Sequence, residues 1–250
     1  MCRLARVPVV LLVCLSGMLP CALGGEDFSL DLDLTYNGKY VWRGINVVDD
    51  HVLQPSVTAG WRGFSVNIWG NRDMTGENNA ANDFTEIDFT ADYSWTQGPV
   101  DLSVGAIRYT FPHGGGPSTT EFYGAAALET VLSPGITVYQ DVEEADGTYV
   151  SVAVGHSFEE VWAPAEGVSA GLDLGLSVGM GSSDYNRFYY GAGGGALTDL
   201  LLTAGLPIRI GENATLTPSL NYSSLLDGDI RDAMADDTNL WGGLSLAVSF

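Results

Sequence analysis

The chain has 250 residues, 46% of them hydrophobic and 16% charged, with 31 acidic against 10 basic side chains and a formal net charge of −21. Such an acid excess argues against nucleic acid or an anionic membrane surface as a partner, since both recruit Lys and Arg. No apolar run beyond residue 25 is long enough for a transmembrane helix, so if the chain spans a membrane it does so as a closed β-barrel.

The first segment, "MCRLARVPVVLLVCLSGMLPCALGG", carries Arg3 and Arg6, an apolar run from about Val7 to Leu19, and small residues at Ala22 and Gly24. Basic, apolar, small is the order of a secretory signal peptide, expected here over 1–24 with cleavage after Gly24. A lipoprotein reading centred on Cys21 is disfavoured by Pro20. Cys2, Cys14 and Cys21 all fall in the leader, so the mature chain, 25–250, enters an oxidising compartment without a disulfide framework. Loss of Arg3 and Arg6 leaves 8 basic residues against 31 acidic ones.

A period of two then recurs along the chain. In "DFSLDLDLTYN" the residues Phe28, Leu30, Leu32, Leu34 and Tyr36 alternate with Ser29, Asp31, Asp33, Thr35 and Asn37. In "EIDFTADYSW" the apolar parity is Ile87, Phe89, Ala91, Tyr93 and Trp95, opposite Glu86, Asp88, Thr90, Asp92 and Ser94. In "VSAGLDLGLSVGM" it is Val168 to Met180 in steps of two. The last stretch, "NLWGGLSLAVSF", sets Leu240, Leu244, Leu246, Val248 and Phe250 on one face. Spacing of two predicts strands; a helix needs three and four. The predicted strands are 28–43, 52–62, 64–71, 84–95, 100–111, 120–130, 136–142, 148–157, 168–180, 197–209, 215–223 and 239–250, the weakest patterns being 52–62 and 197–209.

The connections alternate between long Gly-, Asn- and Asp-rich segments ("RDMTGENNAAND", "PHGGGPST", "GSSDYNRFYYGAGGG", "LLDGDIRDAMADD") and tight turns at Arg62–Gly63, 96–99, 132–135 and 211–213. A short "EEADG" falls in the long set and a longer "EEVWAPAEG" in the short set. Short turns at one rim and long loops at the other predict an all-β, antiparallel transmembrane outer-membrane barrel of about twelve strands. A soluble sandwich or lipocalin shares the alternation, with the apolar parity on a dry core. Aromatics near strand ends favour the membrane barrel, where they form interfacial girdles. Trp61, Phe64, Trp95, Phe158 and Phe250 are expected at the short-turn rim, and Tyr40, Trp42, Phe122 and Tyr222 at the other.

If the apolar parity faces lipid, the polar parity faces the lumen. That makes Asp31, Asp33, Glu86, Asp88, Asp92, Asp101, Glu121, Glu129, Asp141 and Asp173 pore-lining, with Lys39 and Arg43 as the clearest inward cations. Arg43 is expected to pair with a carboxylate of a neighbouring strand, Glu86 first. Barrels of this size lie between those filled by side chains and those with an aqueous channel. The expected function is a passive channel for small hydrophilic, preferably cationic, solutes. The competing expectation is an occluded structural or adhesive barrel whose loops bind partners.

Chemistry is otherwise sparse. "GLSVG" around Ser177 fits a nucleophile elbow and "HGGG" (113–116) an oxyanion loop, but the elbow needs a strand-to-helix turn followed by an acid and then a histidine. Ser177 lies in unbroken alternation and the last histidine, His156, precedes it. "GAGGGA" (191–196) has no helix behind it to receive a phosphate, and "DGDIRDAMADD" lacks the glycine and glutamate spacing of a known calcium loop. No catalytic residue, metal site or cofactor is expected, and no nucleic-acid partner.

At Tyr40 to Ile45, "YVWRGI" resembles the N-terminal signature of the TorF-like porin family, conserved outer-membrane proteins of the Gcw type. "GWRGFSVNIWGN" (60–71) is similar to that family's glycine-turn hairpin, and "TEIDFTADY" (85–93) to its acidic fourth strand. The resemblance implies an outer-membrane barrel with a pore role and brings no defined catalytic or ligand-binding residues. The terminal aromatic, Phe250, resembles the signal by which outer-membrane proteins are handed to the barrel-assembly machinery. The expected partners are therefore that machinery, the lipid bilayer of the outer membrane, and small ions or solutes.

Overall fold

The computed structural model describes residues 28–250; the expected signal peptide, 1–24, lies outside the described residues. In chain order the elements are β1 (Phe28–Asn37), β2 (Tyr40–Trp42), β3 (Ile45–Val48), β4 (Val52–Trp61), β5 (Phe64–Asp73), β6 (Phe84–Gln97), β7 (Val100–Thr110), β8 (Thr119–Leu128), β9 (Gly135–Asp141), β10 (Thr148–Ala165), β11 (Val168–Gly181), α1 (Ser183–Tyr189), β12 (Ala196–Gly205), β13 (Ile208–Ile210), β14 (Ala214–Leu225), α2 (Gly228–Ala233) and β15 (Thr238–Ser249). β12 and β13 form one wall strand interrupted at Leu206 and Pro207, both pairing with β11 and β14. With β2 and β3 paired only to each other, twelve antiparallel strands make the wall.

The wall closes where the first strand meets the last. β1 pairs with β15 from Asp31–Ser249 to Asn37–Gly243, and the Phe250 backbone N–H donates to the Leu30 carbonyl at 2.9 Å. Closure leaves the barrel no open sheet edge along this seam, which a lipid environment demands of any spanning sheet. The alternation sorts as the membrane reading requires. Leu32, Leu34, Val57, Val66, Ile68, Phe89, Val104, Phe122, Val138, Val152, Leu176, Leu202, Leu220, Leu244 and Leu246 are exposed on the outer face. Ser29, Asn67, Thr90, Glu121, Thr137, Ser177 and Ser223 are buried on the inner one. An apolar belt this continuous, on a closed barrel, is a lipid-facing surface. The chain is an outer-membrane β-barrel.

Five connections at one rim have two to six residues (62–63, 98–99, 129–134, 166–167 and 211–213), and the six at the other have six to fourteen, two of them carrying the helices. The stretch "EEVWAPAEG" departs from the expected loop. β10 runs on to Ala165, paired to β11 through two register shifts, so the turn is only Glu166–Gly167. Bulges let a strand continue through a segment whose alternation has lapsed.

The larger departure is at the first strand. It was expected to run over 28–43, but β1 ends at Asn37 and the chain folds inward as the hairpin β2–β3. Trp42 and Ile45 flank its tip, Arg43 (φ 47°) and Gly44 (φ 83°). Two consecutive positive φ values define the type I′ turn favoured by two-residue hairpins. The same W-R-G sequence recurs at 61–63, where Arg62 (φ 50°) and Gly63 (φ 85°) make the tight turn between β4 and β5. Tyr40 and Trp42 are consequently not girdle residues. Tyr40 is buried against Trp69, and Trp42 packs on Tyr109 and Tyr189 inside the barrel.

Candidate functional site: a plug set on an acidic lumen

The inward hairpin places Arg43 inside the outer part of the barrel, near the long loops. Its guanidinium is 6% exposed and meets the fully buried Glu121 of β8 in a bidentate pair, Nη1 to Oε1 at 2.8 Å and Nη2 to Oε2 at 2.7 Å. Nη1 also donates to the Tyr185 hydroxyl at 2.5 Å. Aromatic rings close the rest of the shell: the guanidinium carbon lies 4.3 Å from the ring centres of both Tyr139 and Tyr149 and 4.5 Å from that of Trp42. A planar, weakly hydrated cation suits this combination of carboxylate fork and π faces in a way an ammonium does not.

The helix α1 completes the plug. Ser182 caps it, its hydroxyl accepting from the Tyr185 N–H. Its residues carry Tyr185 and Tyr189 inward, and Tyr190 follows at its C-cap. Tyr190 donates to the Arg43 carbonyl at 2.7 Å, while Tyr189 donates to Asp141 at 2.8 Å. Opposite, the space at Gly44 is set by Asp199 and Leu225: a Cβ there would lie 2.8 and 2.7 Å from their side chains. One short hairpin thus reaches the inner faces of β5, β6, β7, β8, β9, β10, β12 and β14.

Buried carboxylates here are met mostly by tyrosine hydroxyls. Tyr109 donates to Glu121 at 2.9 Å, Tyr123 to Asp92 at 2.6 Å and Tyr149 to Asp199 at 3.0 Å. Tyr40 bonds Glu86. Asp88 is less well served, with one buried oxygen lacking a partner. Below the plug, Asp33 is held by Ser245 and Thr35 and Asp101 by Thr96; Asp31 and Asp101 each keep a buried oxygen without a partner. Hydroxyls satisfy a carboxylate without cancelling its charge.

The sequence-predicted residues separate into three groups. Asp31, Asp33, Asp88, Asp92, Asp101 and Asp173 lie on the inner parity of β1, β6, β7 and β11. Glu86, Glu121 and Asp141 lie at the plug, where Arg43 joins them, but its partner is Glu121 and not Glu86. The inward turn carries the guanidinium across the lumen to β8, leaving Glu86 to Tyr40. Lys39 sits above the hairpin, half-buried, bonded to Asn239 at 3.3 Å and ion-paired with Asp49, whose carboxyl it holds below the usual range. Glu129 is the exception. It stands one residue past β8, exposed in the turn 129–134, because the strand ends at Leu128 and its register no longer directs the side chain inward.

Sequence reasoning missed Asp199, the inward tyrosines and Arg209. Asp199 sits in a run, "DLLL", without alternation. Arg209 shares the inner parity at the short-turn rim, tied to Glu159. The nucleophile-elbow match does not assemble: Ser177 is buried on the inner face of β11, whereas His156 pairs with Leu174 on the outer face.

A closed twelve-stranded barrel with an apolar belt, a polar interior and a folded-in loop is the architecture of an outer-membrane β-barrel. Residues 22–160 match the model of a family described as "Bacterial protein of unknown function (Gcw_chp)", and the chain belongs to that family. No curated protein sequence matches it. Among solved structures it is similar to one titled "KdgM porin" (TM-score 0.56, 10% identity, covering 88% of this chain and 99% of that one). It is also similar to one titled "Bacterial polysaccharide outer membrane secretin" (TM-score 0.52, 10% identity, 91% and 100%). At these identities the likeness concerns the fold.

Proposed function

We propose that the protein is a passive outer-membrane channel for small hydrophilic cations, held closed in this conformation by the β2–β3 hairpin and α1. The observation that carries the reading is the charge on the inner wall. Six aspartates lie there below or beside the plug, and the inward cations stand apart from them, Lys39 and Arg43 in the outer part and Arg209 at the opposite rim. Low-dielectric walls concentrate such a field and raise the local cation concentration. The hairpin forms no ladder with the wall, so its withdrawal would break side-chain contacts and leave every barrel strand paired. Planar-bilayer recording across a KCl gradient is the test. The reversal potential should report K⁺ over Cl⁻, and a Cl⁻ preference would overturn the reading.

The second reading, an occluded scaffold whose loops bind partners, draws its support from the extent of the plug, whose hairpin alone reaches eight wall strands. Under it, neither the native protein nor variants with a loosened hairpin conduct. Assembly fits either reading, with Phe250 as the terminal signal for the barrel-assembly machinery.

A further inference from the structure

We infer that the inner wall over β7 to β10 is a recognition site for guanidinium-bearing solutes, occupied in the closed state by the chain's own Arg43. The inference deepens the channel reading and rests on it for the identity of the visitor. It concerns the wall, because most of what holds the guanidinium does not belong to the plug. Glu121 offers both carboxylate oxygens from β8, and Tyr139 and Tyr149 present their rings from β9 and β10.

Those groups are fixed by bonds made without the hairpin. The Tyr109 hydroxyl orients Glu121 from β7. Tyr149 is anchored through its hydroxyl to Asp199 at 3.0 Å, and its ring lies 6.1 Å from that of Tyr139, which in turn lies 5.7 Å from Tyr123. When the hairpin swings out, the carboxylate fork and two π faces therefore remain in place, buried in a lumen whose other wall charges are acidic except for Arg209 at the far rim. That is a preorganised site for a flat cation with two parallel N–H donors, the geometry of an arginine-like or agmatine-like head group. An alkylammonium supplies the charge without the fork, and a urea supplies the fork without the charge. Arg43 thus stands in for the solute, and a cation arriving through the acidic lumen competes with it.

The test uses the full-length barrel in detergent micelles, with Arg43→Ala to vacate the site and methylguanidinium chloride as the probe in titration calorimetry. Saturable binding is expected, with methylammonium weaker by roughly tenfold or more, since one charge-assisted bond of the pair is lost. Methylurea should show no binding, and Arg43→Ala combined with Glu121→Gln should abolish the methylguanidinium signal. Native protein should bind the probe several-fold more weakly than Arg43→Ala, because its own side chain fills the site. Equal response to the three probes, survival of binding in the double variant, or equal affinity of native protein would each overturn the inference. Should Arg43→Ala fail to fold, Arg43→Gln, which keeps the side-chain stem between the rings, is titrated in the same way. Bilayer conductance separates this outcome from the channel reading. Binding without current in native or vacated protein retains the site and removes the channel, and current without selective binding does the reverse.

Discussion

Breaking the Arg43–Glu121 pair should be costly from either side, and repairing it with a second substitution should recover part of the loss. Glu121 is fully buried and Arg43 is 6% exposed. Arg43→Ala therefore leaves a carboxylate met, among the described residues, by the Tyr109 hydroxyl, and Glu121→Gln leaves a guanidinium with one neutral amide oxygen, a tyrosine oxygen and rings but no counter-charge. Removing one partner of a buried pair costs about 3–5 kcal/mol, most of it the penalty of the charge left behind. The three rings within 4.5 Å of the guanidinium add roughly 0.5–2 kcal/mol each where they are desolvated, a loss confined to Arg43→Ala. The double variant removes both charges, so its destabilisation should fall short of the sum of the singles by about 2–3 kcal/mol. The assay is unfolding of the vesicle-reconstituted barrel followed by tryptophan fluorescence. Urea is the right denaturant, because guanidinium would itself pair with the vacated Glu121. Single variants within about 0.5 kcal/mol of the native protein, as surface substitutions usually are, would mean that the hairpin is not docked and that Arg43 is solvated in solution.

Gly44→Val should loosen the plug and leave the wall intact. The position has φ +83° and a Cβ there would lie 2.7 Å from Leu225, so single-channel conductance should rise while migration stays heat-modifiable; unchanged conductance would remove the hairpin as the gate. Replacing Asp88 and Asp92 with Asn should lower the preference for K⁺ over Cl⁻. The native preference should shrink between dilute and concentrated salt as the Debye length falls from about 30 Å at 0.01 M to about 3 Å at 1 M; a preference that ignores both changes refutes the electrostatic argument. Cysteines introduced at Asn79, Gly193 and Asp229 should react with an impermeant maleimide on whole cells and those at Gly98 and Pro134 should not, with the reverse pattern inverting the sidedness. Deleting Phe250 removes the two backbone bonds it makes with Leu30 at the closing seam as well as the proposed assembly signal, so the yield of folded barrel should drop sharply; a normal yield would leave the terminus no special role.

The wall was legible because each of its strands separates two phases, and a period of two records that separation residue by residue. The final strand shows it best, its apolar parity facing out from Leu240 to Phe250. The plug was not legible by the same means. Tyr40 and Trp42 prolong the alternation of β1, and periodicity cannot tell a wall strand from a hairpin folded inside the barrel. A sign is present nonetheless: W-R-G occurs twice, and at 61–63 the sequence places a tight turn. The helix α1, seven residues long, is too short for a helical period to stand out, so Tyr185 and Tyr189, with Tyr190 at its C-cap, give no periodic signal. The choice of Glu121 over Glu86 depends on how far the tip reaches across the lumen, which no local pattern encodes.

The tyrosines explain how so acidic a chain can have a buried interior. Burying a carboxylate costs several kcal/mol unless its oxygens are met, and only 8 basic residues lie beyond residue 24. Ion pairing could neutralise few of the inward acids: Arg43 meets Glu121 where the plug docks, and Arg209 meets Glu159 at the opposite rim. Many of the oxygens meet hydroxyls instead, from Tyr109, Tyr123, Tyr149 and Tyr189 and from Ser245, Thr35 and Thr96. A hydroxyl supplies a donor and leaves the negative charge standing, whereas an arginine or lysine at the same place would have supplied both and erased the field. A wall built this way holds its shape without bringing in positive charge. Such a wall suits a path for cations better than a sealed scaffold, for which neutral packing would serve as well and cost less.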